Sequence, residues 1–529
     1  MNSNSLKERF ASGYIILTLF FTGAGIMVLE ILGTRIIGPY YGVDLYVWSS
    51  LITVTLISLA AGYWFGGRLA DKKPEINLLY LFIFFAGIFI ILIPSISHPV
   101  LKFSRIFGIQ GGALFSSCVL FMIPLVFLGM ATPFSVKLLT RELKVLGATA
   151  GKLYAISTLG SVFGTILCGF ILIPNLGITK IVYLQAIVLI LLWAGWKILS
   201  GKYGKSLIAL PFFLVIAAAF GSDKAVEAVR YKAQSLFGEI KVADIKEKRW
   251  LLIDGTSHTV IDKKSGESLF EFSYYFEIMP LLSFSRAPSE PLPGKRLLLL
   301  GLGGGAVAKA FSEYGIKVDA VEIDPKVAEA SKKYFNAGRY AENIILRDAR
   351  EYLAALNAES TKTPEKKYDF IVLDAFSAGG HPLQLYTFES FREMKKTLKD
   401  GGVLGVNSLS FYEGKNSRVW KSVYKTLKEV FPYVRVFPVK LPGGAGPTIF
   451  IAAEKDIFAP VDANSARNKT AEKFIRKMLK NELQYAAGDM RDAAVLTDDY
   501  NPLELWDSGM VAGGRKLIFE VFGDEILLN

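Results

Sequence analysis

The chain has 529 residues, 52% of them hydrophobic and 20% charged, with a formal net charge of +12. That apolarity argues against an ordinary soluble protein of this length. The basic excess fits loops flanking membrane spans better than it fits a nucleic-acid surface, because many basic residues of the first half sit between apolar runs.

Two cysteines, Cys118 and Cys168, lie inside apolar runs and offer neither a disulfide framework nor a metal site. The three histidines, His98, His258 and His381, are far apart and have no ligand spacing. The first apolar run is too long for a cleavable signal and lacks a small-residue cleavage site.

In chain order, the first 222 residues read as a transmembrane helical domain of six or seven spans. Apolar runs fall at about 13–35, 47–67, 77–97, 113–136, 149–173, 178–198 and 206–221, each near the roughly 20 residues that cross a bilayer. With the N-terminus inside, the inner loops are rich in Lys and Arg from Lys7 to Lys205, and the outer loops hold only Arg35, Lys102, Arg105 and Lys180. The last run is short and contains Pro211, so six true spans and a cytoplasmic soluble half are expected. Glu30 sits within the first span, where an acid is costly and needs a partner or a cavity. Gly160 and Gly164 form a GxxxG spacing that suits close helix packing.

From 223 to 290 a small β-strand region is expected, from "GEIKVADI", "RWLLIDG" and "SHTVID". From 291 to 455 strands alternate with helices. "KRLLLL", "KVDAVEI", "NIILR", "YDFIVLDAF" and "GGVLGVNS" read as strands, with helices at about 305–314, 325–335 and 415–430. This alternation predicts a doubly wound, Rossmann-like parallel sheet, closed by an antiparallel pair "VRVFPVK" and "PTIFIAAE". Residues 456–529 form a C-terminal extension that includes "LTDDYNPLE".

The run "GLGGGAV" follows the first of these strands and opens a helix. Gly301, Gly303 and Gly305 permit a tight turn and the close approach of a ligand to backbone N–H groups at a helix N-terminus. Glu322 ends the next strand, where a carboxylate can accept both hydroxyls of a ribose. Asp348 ends the third strand and Asp374 the fourth. In an open parallel sheet such strand ends meet at one crevice, so these three acids are expected to converge. The fingerprint also fits a nicotinamide site, but that reading leaves Asp348 and Asp374 unexplained.

Further motifs carry a resemblance. "LLIDG", "FEFSYYFEIMPLL", "LLLLGLGGGAV", "AVEIDPKV", "RDAREYL" and "YDFIVLDAFSAGGHP" resemble the spermidine synthase family of polyamine aminopropyltransferases. "AGYWFGGRLADKKP", "GKLYAISTLGSVFGTILCGFILIPNLG" and "LTDDYNPLE" are similar to its membrane-embedded, multi-pass branch. The resemblance implies a sheet of the S-adenosylmethionine-dependent methyltransferase type. It implies decarboxylated S-adenosylmethionine, or S-adenosylmethionine, as a co-substrate rather than a tightly bound cofactor, and putrescine or a related amine as acceptor. By that resemblance Glu322 holds the ribose, Asp348 and Ala349 the adenine side, His258 contacts the donor, Tyr274 lines the amine channel and Asp374 is the catalytic acid. The implied partners are the small amine and the lipid bilayer, with no nucleic acid, and a homodimer is left open.

The chemistry asks for a group such as Asp374. An alkylamine has a pKa near 10 and must lose a proton before it attacks the carbon beside a sulfonium. Two positions depart from the family pattern: Gly304 and Ser377 stand where it usually has acids that hold ammonium groups. Asp498, Asp499, Glu504, Glu271 and Glu277 are the acids at hand to replace them. The rival expectations are a methyltransferase on the same fold, and a non-catalytic nucleotide sensor fused to a transporter-like bundle.

Overall fold

The structure is a computed structural model and describes residues 3–42, 45–140, 142–201, 227–282, 292–360, 367–376, 380–414, 417–441, 444–458, 460–483 and 490–506. The chain divides into two compact units, one up to Ala225 and one from Val226.

Among the described residues, six helices of the first unit are long and apolar enough to cross a membrane: Arg9–Tyr41 (α1), Leu45–Lys72 (α2), Ile76–Phe107 (α3), Gln110–Leu139 (α4), Leu146–Asn175 (α5) and Ile178–Leu199 (α6). The run at 206–221 lies outside the described residues. Gly160 and Gly164 do pack closely. A Cβ on either would collide with a backbone carbonyl of α1, that of Phe20 or of Ala24, so the α1 and α5 backbones touch. Glu30 of α1 is hydrogen bonded by the hydroxyl of Thr55 on α2.

The second unit opens with an antiparallel four-stranded sheet, β1 (Val229–Gln234), β2 (Glu239–Ile245), β3 (Lys248–Ile253) and β4 (Thr256–Asp262), in that order. Strand β1 had no clear alternation in the sequence; it is added to an edge by pairing with β2. The β3–β4 hairpin turns through Asp254 and Gly255, both at positive φ, as a two-residue loop with this handedness requires. Between Leu251↔Thr259 and Leu252↔Ser257 the register slips by one residue, leaving His258 as a bulge.

The larger sheet has seven strands in the order β10-β11-β9-β8-β5-β6-β7. These are β5 (Arg296–Leu300), β6 (Lys317–Glu322), β7 (Asn343–Leu346), β8 (Tyr368–Leu373), β9 (Leu398–Phe411), β10 (Tyr433–Pro438) and β11 (Ala445–Ala453). Strands β7, β6, β5, β8 and β9 run parallel. The closing antiparallel pair is there, with β11 inserted between β9 and β10. The connecting helices are α7 (Ala306–Glu313), α8 (Pro325–Phe335), α9 (Ala349–Ser360), α10 (Phe388–Thr397) and α11 (Arg418–Lys428), followed by α12 (Lys469–Lys480) in the extension.

The central strands carry unbroken apolar runs, Leu297–Leu300 in β5 and Phe370–Leu373 in β8, because both faces are covered there. Leu297 and Leu299 enter one core with Phe276, Met279 and Phe311. Leu298 and Leu300 enter the other with Phe391, Met394 and Leu427. Fully burying each such side chain is worth about 1.5–3 kcal/mol. The small sheet joins this body through Ile240, Val242 and Leu251, which pack on Val327 and Phe335 of α8. That contact sets β4 against the start of α7.

Candidate active site

The register of the sheet lines up the predicted acids. Leu373 pairs with Leu300, and Leu300 with Val321. The next residues on these strands are Asp374, Gly301 and Glu322. The ladder continues through them: Asp374 N–H donates to the Leu300 carbonyl at 2.9 Å, Gly301 N–H to Val321 at 2.9 Å and Arg347 N–H to Glu322 at 3.1 Å. On the other side Leu373 pairs with Val406, so Asn407 stands next to Asp374. Asn407, Asp374, Gly301 and Glu322 thus form one row across the carboxyl ends of β9, β8, β5 and β6. With strands about 4.8 Å apart, the backbones of Asp374 and Glu322 are roughly 10 Å apart across the glycine loop.

The loop needs its glycines for two different reasons. Gly301 has φ +95°, and a Cβ there would collide with the Asp374 carbonyl. Gly303 and Gly305 also have positive φ, and Gly305 is the N-cap of α7. Gly304 lacks the positive φ that could have explained it. Its constraint is steric: a Cβ would lie 2.6 Å from Thr259 Cγ2, 2.9 Å from Thr259 Cβ and 3.0 Å from Phe335 Cδ1. Its N–H donates to Thr259 Oγ1 at 2.8 Å.

Glu322 is buried and turned inward. Its Oε2 accepts from Leu302 N–H at 3.2 Å and its Oε1 from Asp324 N–H at 3.0 Å. Burial pushes its carboxyl above the ordinary range, against the pull of these N–H groups. Each oxygen retains acceptor capacity for a ribose hydroxyl. Asp348 caps α9, its Oδ1 accepting from Arg350 N–H at 2.8 Å and Glu351 N–H at 3.0 Å. Ala349 beside it is buried. Ile323 and Leu346, next to these acids, are 40% and 54% exposed, leaving apolar side chains at the crevice for a base to cover.

Among the described residues Asp374 has one side-chain hydrogen-bond partner, the Asn407 amide, which donates to Oδ1 at 2.8 Å. Burial pushes the carboxyl up to about 6, and the Asn407 bond offsets part of that rise. Asn407 is in turn braced: Tyr386 donates its hydroxyl to the Asn407 carbonyl at 2.5 Å. His381 stacks edge-on against Tyr386, ring centroids 4.6 Å apart. Its Nε2 accepts from Leu409 N–H at 3.1 Å, which puts the proton of a neutral ring on Nδ1.

The structure does not bring every expected residue to this row. His258 is half-buried on the β4 bulge beside Thr259. Tyr274 is buried to 1% and donates to the Ser268 carbonyl at 2.8 Å, with Arg467 above its ring. Among the described residues no hydrogen bond links Tyr274 to Asp374, Glu322 or Asp348. It belongs to an ionic cluster of Glu267, Glu277, Glu313, Lys309 and Arg467.

The structure also places the five acids considered as replacements. Glu277 is fully buried, with both oxygens 3.1 Å from Arg467 Nε. Glu271 takes the hydroxyl of Tyr275 at 2.6 Å and Lys477 at 2.7 Å. Asp498 is held by Thr387 at 2.7 Å and Arg350 at 3.0 Å. Asp499 is exposed, as is Glu504. Ser377 lies outside the described residues.

Sequence reasoning missed Asn407, Tyr386, Thr259 and His381. Asn407 left a readable trace, as a polar residue at the end of an apolar strand in the position equivalent to Asp374. Thr259 left none, since its role depends on how β4 lies against the loop.

A doubly wound sheet with a glycine loop, a carboxylate at the end of the second strand and an acid at the end of the fourth defines a Rossmann-like protein of the S-adenosylmethionine-dependent methyltransferase type. Comparison with known proteins narrows the class. Residues 271–463 match the spermine/spermidine synthase domain. The chain is 34% identical over 148 residues to an N-terminal histidine N-methyltransferase of Emericella nidulans, covering 27% of this chain and 25% of that protein. It is 32% identical over 161 residues to a polyamine aminopropyltransferase of Vibrio vulnificus, covering 30% and 50%. It is 24% identical over 452 residues to polyamine aminopropyltransferase 2 of Aquifex aeolicus, covering 80% and 85%. The chain thus spans a quarter and a half of the first two relatives and most of the third. Over residues 271–463 it is similar to the spermidine synthase family.

Proposed function

We propose that this chain is a membrane-anchored aminopropyltransferase. It transfers the aminopropyl group of decarboxylated S-adenosylmethionine to putrescine or a related amine and releases methylthioadenosine. The observation that carries this reading is Asp374, raised to about 6, in one row with the glycine loop and Glu322. A carboxylate in this range is ionised at neutral pH and still basic enough to take part in proton transfer. The acceptor ammonium binds Asp374, gives up a proton and aims its lone pair at the carbon next to the sulfonium. The new C–N bond forms as the C–S bond breaks, and its electron pair neutralises the sulfur. Asp374 takes or relays the proton that leaves nitrogen.

The names of the aminopropyltransferases of Vibrio and Aquifex support this reading. A second reading, S-adenosylmethionine-dependent methyl transfer, is favoured by the histidine N-methyltransferase match and by the lack of an acid at Gly304. The second unit is proposed to face the cytoplasm, a reading supported by the basic residues between the apolar runs of the first half. The test is to incubate the full chain, in detergent or nanodiscs, with each donor and putrescine. Spermidine and methylthioadenosine are expected by mass spectrometry. Methylated amine and S-adenosylhomocysteine would favour the second reading, and no product with either donor would sink both.

A further inference from the structure

The row order fixes what a bound donor must cross. Glu322 lies on β6 and Asp374 on β8, with the loop of β5 between them. A donor with its ribose at Glu322 and its reacting carbon at Asp374 therefore lays its sulfonium end over residues 301–305. The body nearest the middle of that loop is Thr259, from the small sheet. Its hydroxyl oxygen accepts from the buried Gly304 N–H at 2.8 Å, and its Cγ2 and Cβ occupy the volume where a Gly304 side chain would begin, 2.6 and 2.9 Å from an added Cβ.

Thr259 cannot easily make room. A β-branched side chain in a strand is stiff at χ1. Rotation would swing Cγ2 away but would take the hydroxyl off Gly304 N–H, and the Cβ would stay at 2.9 Å. We propose that Thr259 is a specificity-determining residue, which holds the loop in shape and excludes any side chain at position 304, so that the donor's tail meets a neutral threonine here and no carboxylate. The proposal rests on reading the crevice as an S-adenosyl donor site. Four nearby acids do not supply the missing charge, since Glu267, Glu271, Glu277 and Asp498 each carry a basic partner. A wall without a negative charge neither attracts a lone ammonium nor repels a carboxylate. The site should then accept the decarboxylated donor and S-adenosylmethionine with affinities within about tenfold of each other.

The test is titration calorimetry of the full chain with both donors, on wild type and four variants, with melting curves as a check on folding. Thr259→Val keeps the shape but leaves Gly304 N–H buried without an acceptor. It should weaken both donors together, by roughly tenfold, and Thr259→Ser should restore them. Gly304→Asp alone should lose binding of both donors or lower the melting temperature. Thr259→Gly combined with Gly304→Asp relieves the two tightest contacts. It should bind better than Gly304→Asp alone, though not as tightly as wild type, and shift the preference toward the decarboxylated donor by tenfold or more over wild type. Three results would overturn the proposal: unchanged affinities in Thr259→Val, a wild type that already prefers the decarboxylated donor a hundredfold, or a Gly304→Asp single variant that binds normally and already shows the shifted preference. A wild type that binds neither donor would instead defeat the reading of the crevice.

Discussion

The side-chain amide of Asn407 donates to Oδ1 of Asp374 at 2.8 Å, from the neighbouring place on the adjacent parallel strand. A donor to the charged form lowers a carboxyl's pKa, so Asn407 works against the burial that raises Asp374 to about 6. Asn407→Leu should therefore move the acidic limb of the kcat profile upward by about one to two pH units. The KM for the donor should hardly change, because Asn407 is far along the row from Glu322. Stability at neutral pH should fall by about 1–3 kcal/mol, because Asp374 Oδ1 loses its donor, and the deficit should fade as acid protonates Asp374. An unchanged pH profile would remove Asn407 from the positioning of Asp374.

Asp374 itself links activity to stability. Its carboxyl ionises near 3.9 in the unfolded chain and at about 6 in the folded one. Between these values the folded state holds more protons, so stability falls as pH rises through the window and the loss is complete above it. Asp374→Asn should lower turnover by a factor on the order of 10²–10⁴. It should also raise stability at pH 8 by up to about 3 kcal/mol, two pK units at 1.36 kcal/mol each, with little gain at pH 4. Melting curves at the two pH values check the second effect, and near-normal turnover in the variant would end the assignment of Asp374.

Glu322 has two tasks, and its substitution should separate them. Its carboxylate pins Leu302 N–H of the glycine loop and Asp324 N–H ahead of α8. Glu322→Ala should weaken donor binding by at least tenfold, since each charge-assisted bond to a ribose hydroxyl is worth roughly 1.5–3 kcal/mol. It should also cost about 1–3 kcal/mol of stability, because the two N–H groups lose their acceptor. Glu322→Gln keeps an acceptor oxygen and should recover part of the stability with less of the affinity. Calorimetry and melting on both variants decide it, and equal donor affinity for wild type and Glu322→Ala would take Glu322 out of the site.

How much of this was legible follows from what each feature depends on. The parallel sheet was readable because its central strands are covered on both faces and carry apolar runs such as Leu297–Leu300. The row of Asp374, Gly301 and Glu322 was readable because strand ends in such a sheet share one edge. Strand β1 was not, since it is a half-exposed edge with mixed residues. The role of Thr259 was hidden because it depends on a contact between the small sheet and a loop 45 residues away. Tyr274 was assigned by resemblance alone, and the structure surrounds it with charges that the sequence scatters from Glu267 to Arg467.

The proposed cytoplasmic side of the second unit rests on the distribution of basic residues between the apolar runs. A cysteine placed at exposed Asp400 should resist a membrane-impermeant thiol reagent in intact cells and react after lysis. Labelling from outside would require a different orientation and a non-cytosolic source of donor.

The cluster beneath Tyr274 makes the last prediction. Arg467 is 8% exposed at its side chain and meets Glu267 at 2.8 Å, Glu277 at 3.1 Å and Glu313. Burial raises the Glu277 carboxyl even with Arg467 beside it. Glu267 is pushed up by burial too, but Arg467 and Lys309 overcome that and hold it at about 2. Arg467→Met keeps much of the packing and removes the cation, leaving Glu277 buried and unpaired. Breaking a buried pair in this way costs about 3–5 kcal/mol. The loss should depend on pH in a defined direction. Without Arg467 the Glu277 carboxyl is raised further above its unfolded value near 4.3, so its destabilisation is complete at high pH and fades as acid protonates it. The melting temperature of Arg467→Met should therefore lie furthest below wild type at pH 8 and approach it toward pH 5. Adding Glu277→Gln should recover part of the loss at pH 8 and little at pH 5. A deficit of the same size at both pH values would mean that Arg467 acts through packing over Tyr274 rather than through charge.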